Sequence, residues 1–379
     1  MGAIGIEQRW ATQRMRTVWK INDNRRDAGL QYPDDVVWAE NLLYGPYGNW
    51  NLLDIYYPKS AVKILDEKAH NGFHVIGSDG NRQRVQVIEK LPVIFDIHGG
   101  GWQYGDKELY RHYNIALARH GFAVIGFNYR LAPEDCFPAA FTDVNRAMNW
   151  VAGNGEHFGL DLNRVFMVGD SAGGQMASWY ATLLSSQRFR DVYLEKFPLS
   201  GNGETAAFTW EEYARQDVGD AFDPETTENI PDENMQPDET YQFNVPYDQL
   251  RLRGVALNCG IYKMRESLQG GEVDNAFVQF LGDLYESRKE DVKELVDAWN
   301  FMNENFPPTF VMTAANDFLR DCAAPLHDHL SRLGVKCELH LYGKPEQTYM
   351  GHVFHVNQKL DEAHQCNDDE CEFFKGLFA

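Results

Sequence analysis

The stretch VFMVGDSAGGQMASWYATLL, from Val165 to Leu184, places a hydroxyl at a tight corner. A strand-like apolar run leads in, a helix-like run leads out, and Gly169-Asp170-Ser171-Ala172-Gly173 lies between them. A serine hydroxyl is a weak nucleophile at neutral pH and needs a general base and an accessible position. A strand-to-helix turn provides that position by lifting the side chain above the end of the sheet. Such a turn is cramped, so its flanks must be small, and Gly169, Ala172, Gly173 and Gly174 are. The first amides of the following helix then face the space beside the hydroxyl, with the positive end of the helix dipole behind them. A glycine-rich turn alone carries no chemistry. The strand before this one and the helix after it supply the context in which GxSxG reads as a nucleophile.

A second cluster, His98-Gly99-Gly100-Gly101-Trp102, follows another apolar run. Successive glycines let backbone amides converge on a developing negative oxygen with no Cβ in the way. In acyl transfer each such donor is worth about 3–4 kcal/mol. A phosphate cradle would need GxxxxGK[ST] or GxGxxG, and neither follows. Asp170 reads as an anchor of the corner, and Asp143 as a hydrogen-bond partner of backbone or of Arg130. Trp102 reads either as a wall of the substrate pocket or as aromatic packing.

These groups need a scaffold that brings them to one edge. Short apolar strands at about 52–58, 92–97, 122–128, 165–170, 254–258, 309–314 and 335–342 alternate with helical stretches at about 107–120, 138–153, 172–186 and 322–333. Near-continuous apolar strands are those covered on both faces, and alternating β and α units imply a parallel sheet with right-handed crossovers. Gly334 suits a left-handed helix cap. Residues 1 to about 45 show helical periodicity, and 59–90 carry NG and DG turn signals of a hairpin-like excursion. Residues 202–240 hold twelve Asp and Glu against one Arg and read as a solvated surface insertion. Residues 261–305 read as two helices, about 274–286 and 289–301, placed where a lid over a site is inserted.

HGGGW, then NYRLAPE with FPAA, then GDSAGG resemble, in this order, the hormone-sensitive-lipase branch of the α/β hydrolases, the HGGG-type family IV carboxylesterases. The likeness runs from about residue 50 to 357. It implies an α/β-hydrolase fold: a mostly parallel eight-stranded sheet, helices on both faces and a helical cap. The seven strands counted above are one fewer. The implied division is an N-terminal cap segment, 1–45, and a catalytic domain, 46–379, with insertions at about 59–90, 187–250 and 261–305.

The family places an acid and then a histidine after the serine. TAANDFLRD matches its acid segment at Asp317, with Asp321 as the alternative at a helix N-cap position. GHVFHV resembles GHGF, which makes His352 the base, with His355 and His340 as alternatives. Val353 stands where glycine is usual. The resemblance thus implies a Ser171–His352–Asp317 triad, an oxyanion hole from the amides of Gly100, Gly101 and Ala172, and an acyl-enzyme with no metal or organic cofactor. The implied substrate is a short- to medium-chain, above all acetyl, ester. Two rivals share the fold: an arylformamidase-like amide hydrolase and a non-catalytic small-molecule receptor, which would lack the base.

Composition agrees. A net charge of −21 argues against nucleic acid, and no run of 18 apolar residues makes a membrane span. The N-terminus lacks a leader pattern and the six cysteines are thinly spread, so the expectation is a cytoplasmic protein with reduced thiols. CNDDEC at 366–371 reads as a solvated tail rather than a metal site. The expected partner is a small-molecule ester, and the family allows a homo-oligomer.

Overall fold

The computed structural model describes residues 6–66, 72–196, 245–263, 278–282 and 294–378. Its strands are β1 (Val36–Leu43), β2 (Leu52–Pro58), β3 (Val62–Ile64), β4 (Phe73–Ile76), β5 (Arg82–Val87), β6 (Leu91–Ile97), β7 (Ala123–Phe127), β8 (Leu160–Asp170), β9 (Leu252–Asn258), β10 (Thr309–Ala314) and β11 (Cys337–Tyr342). They form one sheet in the order β11-β10-β9-β8-β6-β7-β2-β1-β4-β5-β3. Every pairing from β11 to β7 is parallel, and every pairing from β7 outward to β3 is antiparallel.

The continuous apolar runs have the expected cause. Val93, Phe95, Val165 and Met167 enter one core layer, while Ile94, Phe166 and Val168 enter the other. The first layer is closed by α3 (Ala139–Asn154), α4 (Ala172–Ser185) and α6 (Ala323–Arg332). The second is closed by α2 (Arg111–Ala118) and α7 (Asp361–Lys375). Two further helices are α1 (Ile6–Asp27) and α5 (Gln187–Lys196).

The structure alters three expectations. The sheet has eleven strands, not eight: the hairpin-like excursion at 59–90 adds β3, β4 and β5 to the antiparallel edge. Residues 36–43, inside the segment read as helical, are a strand paired with β2 and β4. A register shift between Ala39 and Leu42, with Asn41 at φ 57°, interrupts the alternation that would have marked it. CNDDEC is no solvated tail but part of α7, with Cys366, Asn367, Glu370 and Cys371 buried. The acidic stretch 202–240 lies outside the described residues, as do 274–277, 283–286 and 289–293 of the two expected helices; 278–281 and 294–297 are helical.

The C-terminal edge of the parallel strands gathers the candidate chemistry. β6 ends before His98, β8 before Ser171, β9 before Cys259 and β10 shortly before Asp317. This is the edge at which open α/β sheets build their sites.

Candidate active site

Ser171 follows β8 directly and stands at φ 54°, ψ −120°, before the first residue of α4. Its amide donates to the Asn258 carbonyl at 2.9 Å, which ties the corner to β9. A side chain in this backbone region is strained, and it persists only where the surroundings allow nothing else. They do not: a Cβ at Gly173 would lie 1.9 Å from the Ile97 carbonyl oxygen, and one at Gly169 would lie 2.4 Å from that of Gly173.

The imidazole of His352 joins this hydroxyl to a carboxylate. Its Nε2 lies 2.9 Å from Ser171 Oγ, and its Nδ1 lies 2.8 Å from Asp317 Oδ1. Asp317 follows β10, and the Leu319 amide donates to its Oδ1 at 2.9 Å while the Thr313 hydroxyl donates to Oδ2 at 3.1 Å. Burial alone would raise this carboxyl. Hydrogen bonds and charge from His352, with further bonds from the Leu319 amide and the Cys259 thiol, outweigh it and hold the carboxyl below its ordinary value. Asp317 is therefore an anion at neutral pH, the state needed to orient an imidazole and support its positive form.

The alternatives to His352 and Asp317 have other surroundings. His355 is buried and edge-on to Tyr113, and burial pushes it down to about 3. His340 stacks on Phe310 in β11. Asp321 is exposed in a 3-10 turn before α6. Val353, where the family pattern has glycine, takes φ 52° and ψ 34°, the left-handed conformation that glycine adopts without cost.

The glycine loop lies beside the serine. Gly100, Gly101 and Trp102 all have positive φ, at 121°, 60° and 61°. The Gly100 carbonyl turns inward to accept from the amides of Gln103 and Tyr104. Among the described residues, none accepts a hydrogen bond from the amides of Gly100, Gly101 or Ala172. Trp102 is only 3% exposed; its Nε1 donates to Gln175 and its ring stacks on Phe280, so it packs behind the loop.

Several supports escaped the sequence reading. The Tyr110 hydroxyl accepts from the Gly99 amide at 3.0 Å and donates to Asp170 Oδ2 at 2.8 Å, locking the glycine loop to the corner. Asp170 is the anchor it was read to be, and burial pushes it up to about 7 against the Tyr110 bond and the His352 charge. Asp143 does hold Arg130, by bonds to its amide, Nε and Nη2. From α1, Arg16 donates to the carbonyls of Gln103 and Ala132 and grips Glu134 with both terminal nitrogens. The partners of Arg16 are 87 to 118 residues away, and no local spacing marks such a contact. Tyr110 is similarly remote from Asp170, although NYRLAPE at the other end of the Arg16 bridge was visible as a motif.

One group of metal-ligating types occurs among the described residues: Cys259, Asp317 and His352, with ligand atoms within 4.8 Å of one another. Both imidazole nitrogens already bond to Ser171 and Asp317, and burial pushes the Cys259 thiol up, so it stays protonated. The group is a hydrogen-bonded acid–base array.

Residues 84–323 match the family described as BD-FAE. Carboxylesterase NlhH of Mycobacterium tuberculosis is 40% identical over 100 residues, 26% of this chain and 31% of that protein. Arylacetamide deacetylase of Bos taurus is 41% identical over 96 residues, 24% of each chain. The matched segment spans about a third or less of the length of these curated relatives. Among solved structures, esterase B from Lactobacillus rhamnosis aligns with a TM-score of 0.68 at 21% identity, covering 98% of this chain and 95% of that one. The fold is thus that of α/β-hydrolase esterases. Among the described residues, no helix is long and apolar enough to cross a membrane.

Proposed function

The chain belongs to the BD-FAE family, and from that premise we propose that it is a serine carboxylic ester hydrolase. The observation that carries the reading is the unbroken hydrogen-bonded line from Ser171 Oγ through His352 to Asp317, set beside the amides of Gly100 and Gly101, from which no group among the described residues accepts a bond. Ser171 attacks the ester carbonyl while His352 Nε2 takes its proton. Asp317 fixes the tautomer in which Nδ1 carries hydrogen and steadies the imidazolium. The amides of Gly100, Gly101 and Ala172 receive the oxyanion. The carbon–oxygen bond to the alcohol then breaks, and His352 returns the proton to the departing oxygen. Water, deprotonated by the same imidazole, releases the acid from the acyl-enzyme. No step calls for a metal or organic cofactor. The preferred acyl group is short, acetyl before longer chains, and the N-terminal segment 1–45 serves as a cap.

A pre-placed base favours an enzyme over a receptor on the same fold. The likeness to an arylacetamide deacetylase supports a second reading, amide hydrolysis by the same machinery, and rates on formyl-kynurenine and on simple esters distinguish the two. The principal experiment is hydrolysis of p-nitrophenyl acetate and butyrate. The expected result is turnover that falls at least about 10⁴-fold in Ser171→Ala. Turnover surviving in that variant overturns the reading.

A further inference from the structure

We propose that Phe318 forms the leaving-group subsite and selects esters whose alcohol portion is flat and aromatic. The inference rests on the ester-hydrolase reading above and names the substrate class for it. Phe318 is 67% exposed, although both of its neighbours are buried. The turn that carries it is fixed by bonds from the Asp317 amide to the Ala314 carbonyl, from the Arg320 amide to the Asp317 carbonyl, and from the Leu319 amide to the Asp317 carboxylate. With Asp317 and Leu319 buried, Phe318 between them faces outward. Scattered exposed apolar side chains are ordinary. This one is distinguished by where it stands: its ring centroid is 4.3 Å from that of His352, with the planes inclined at 46°.

The chemistry assigns the side of the substrate that meets it. In acylation, Ser171 Oγ bonds to the carbonyl carbon, the bond from that carbon to the leaving oxygen breaks, and the electron pair stays on the oxygen. The proton that neutralises it comes from His352 Nε2, so the leaving oxygen must come within roughly 3 Å of that atom. Whatever that oxygen carries then extends past the imidazole, where Phe318 stands. A planar aromatic group gains an offset or edge contact there that a short alkyl group lacks. The acyl portion, bonded to Ser171 and facing the amides, makes no such contact. Once the alcohol has left, Phe318 has no substrate group to touch, so its effect belongs to acylation and not to deacylation.

The test compares Phe318→Ala, Phe318→Leu and Phe318→Tyr with the unaltered protein. For phenyl acetate over ethyl acetate, the ratio of kcat/KM should fall roughly three- to tenfold in the alanine and leucine variants, and persist in the tyrosine variant. The butyrate-to-acetate ratio on p-nitrophenyl esters, and the deacylation rate that follows the p-nitrophenol burst, should not change. An unmoved aryl-to-alkyl ratio, or a shift in the acyl-length ratio instead, overturns the subsite. Loss of activity in Ser171→Ala alongside an unmoved ratio removes the subsite alone, whereas activity persisting in Ser171→Ala removes the underlying reading with it.

Discussion

The corner at Ser171 is held chiefly by close packing, with bonds to Asn258 and through Tyr110 added, whereas Asp317 and His352 are placed by side-chain hydrogen bonds. On the first side a Cβ at Gly100 would approach the Tyr104 carbonyl oxygen to 1.9 Å, and one at Gly99 would approach Asp170 Oδ2 to 2.5 Å. On the second, Asn316 donates to the carbonyls of Lys344 and Gln347, so side-chain bonds lace the acid loop to the loop before His352. Steric crowding tolerates almost no displacement, while hydrogen bonds permit adjustment at modest cost. The proposed nucleophile and its proposed oxyanion donors are therefore the rigid half, and the proposed acid–base pair is the half that adjusts as the proton moves.

Substitutions that break each half should fail differently. Asp317→Asn keeps the shape and removes the charge; kcat should fall by about 10⁴-fold with little change in melting temperature. A variant that unfolds instead would place the acid in the rigid half. Gly173→Ala forces a methyl group onto backbone that cannot yield. It should lose about a hundredfold or more in kcat/KM and melt several degrees lower, by the 1–3 kcal/mol typical of overpacking. Unchanged melting would show that crowding does not hold the corner. Arg16→Ala releases the bridge between Gln103 and Ala132 without touching either half directly. Roughly tenfold lower kcat with a lesser change in KM is expected, because the oxyanion donors act mainly in the transition state. A change confined to KM would make α1 a substrate contact rather than a brace.

The smallest effect concerns the layer beneath both halves. Glu370 of α7 is fully buried, accepts from Tyr113 and Asn258, and is pushed up to about 8, first by burial and also by Asp170. The folded protein thus keeps a proton that the unfolded chain loses above the ordinary carboxyl range. Stability from this group is complete at low pH and declines as pH rises toward 8. Glu370→Gln has no such proton to lose. Its melting temperature should equal that of the unaltered protein near pH 4 and exceed it by a few degrees at pH 8 to 9. Parallel curves across that range would show that Glu370 does not titrate with folding.

The same contrast explains how much could be read in advance. Gly99 to Gly101 and Gly169 to Gly174 are local motifs because crowding is local, and the parallel strands are legible because burial on both faces leaves unbroken apolar runs. Asp317 and His352 are assigned by family likeness, since nothing near them in sequence states that they meet. Arg16 and Tyr110 were missed because each bonds across a long stretch of chain, and α7 was missed because its polar exterior masks a buried face of Cys366, Glu370, Cys371 and Phe374. Val353 shows the reverse: the departure from glycine was visible, yet the backbone keeps the conformation glycine would have taken.

The hairpin of β4 and β5 closes on a turn in which the Gly80 amide bonds to Gly77 and the Asn81 amide to Asp79. Five strand spacings separate β4 from β8, roughly 24 Å at the usual interval. That makes the 77–81 turn a natural handle. A tether, dye or carrier bead attached there would sit at the far end of a stiff girder, leaving the working edge open to incoming molecules.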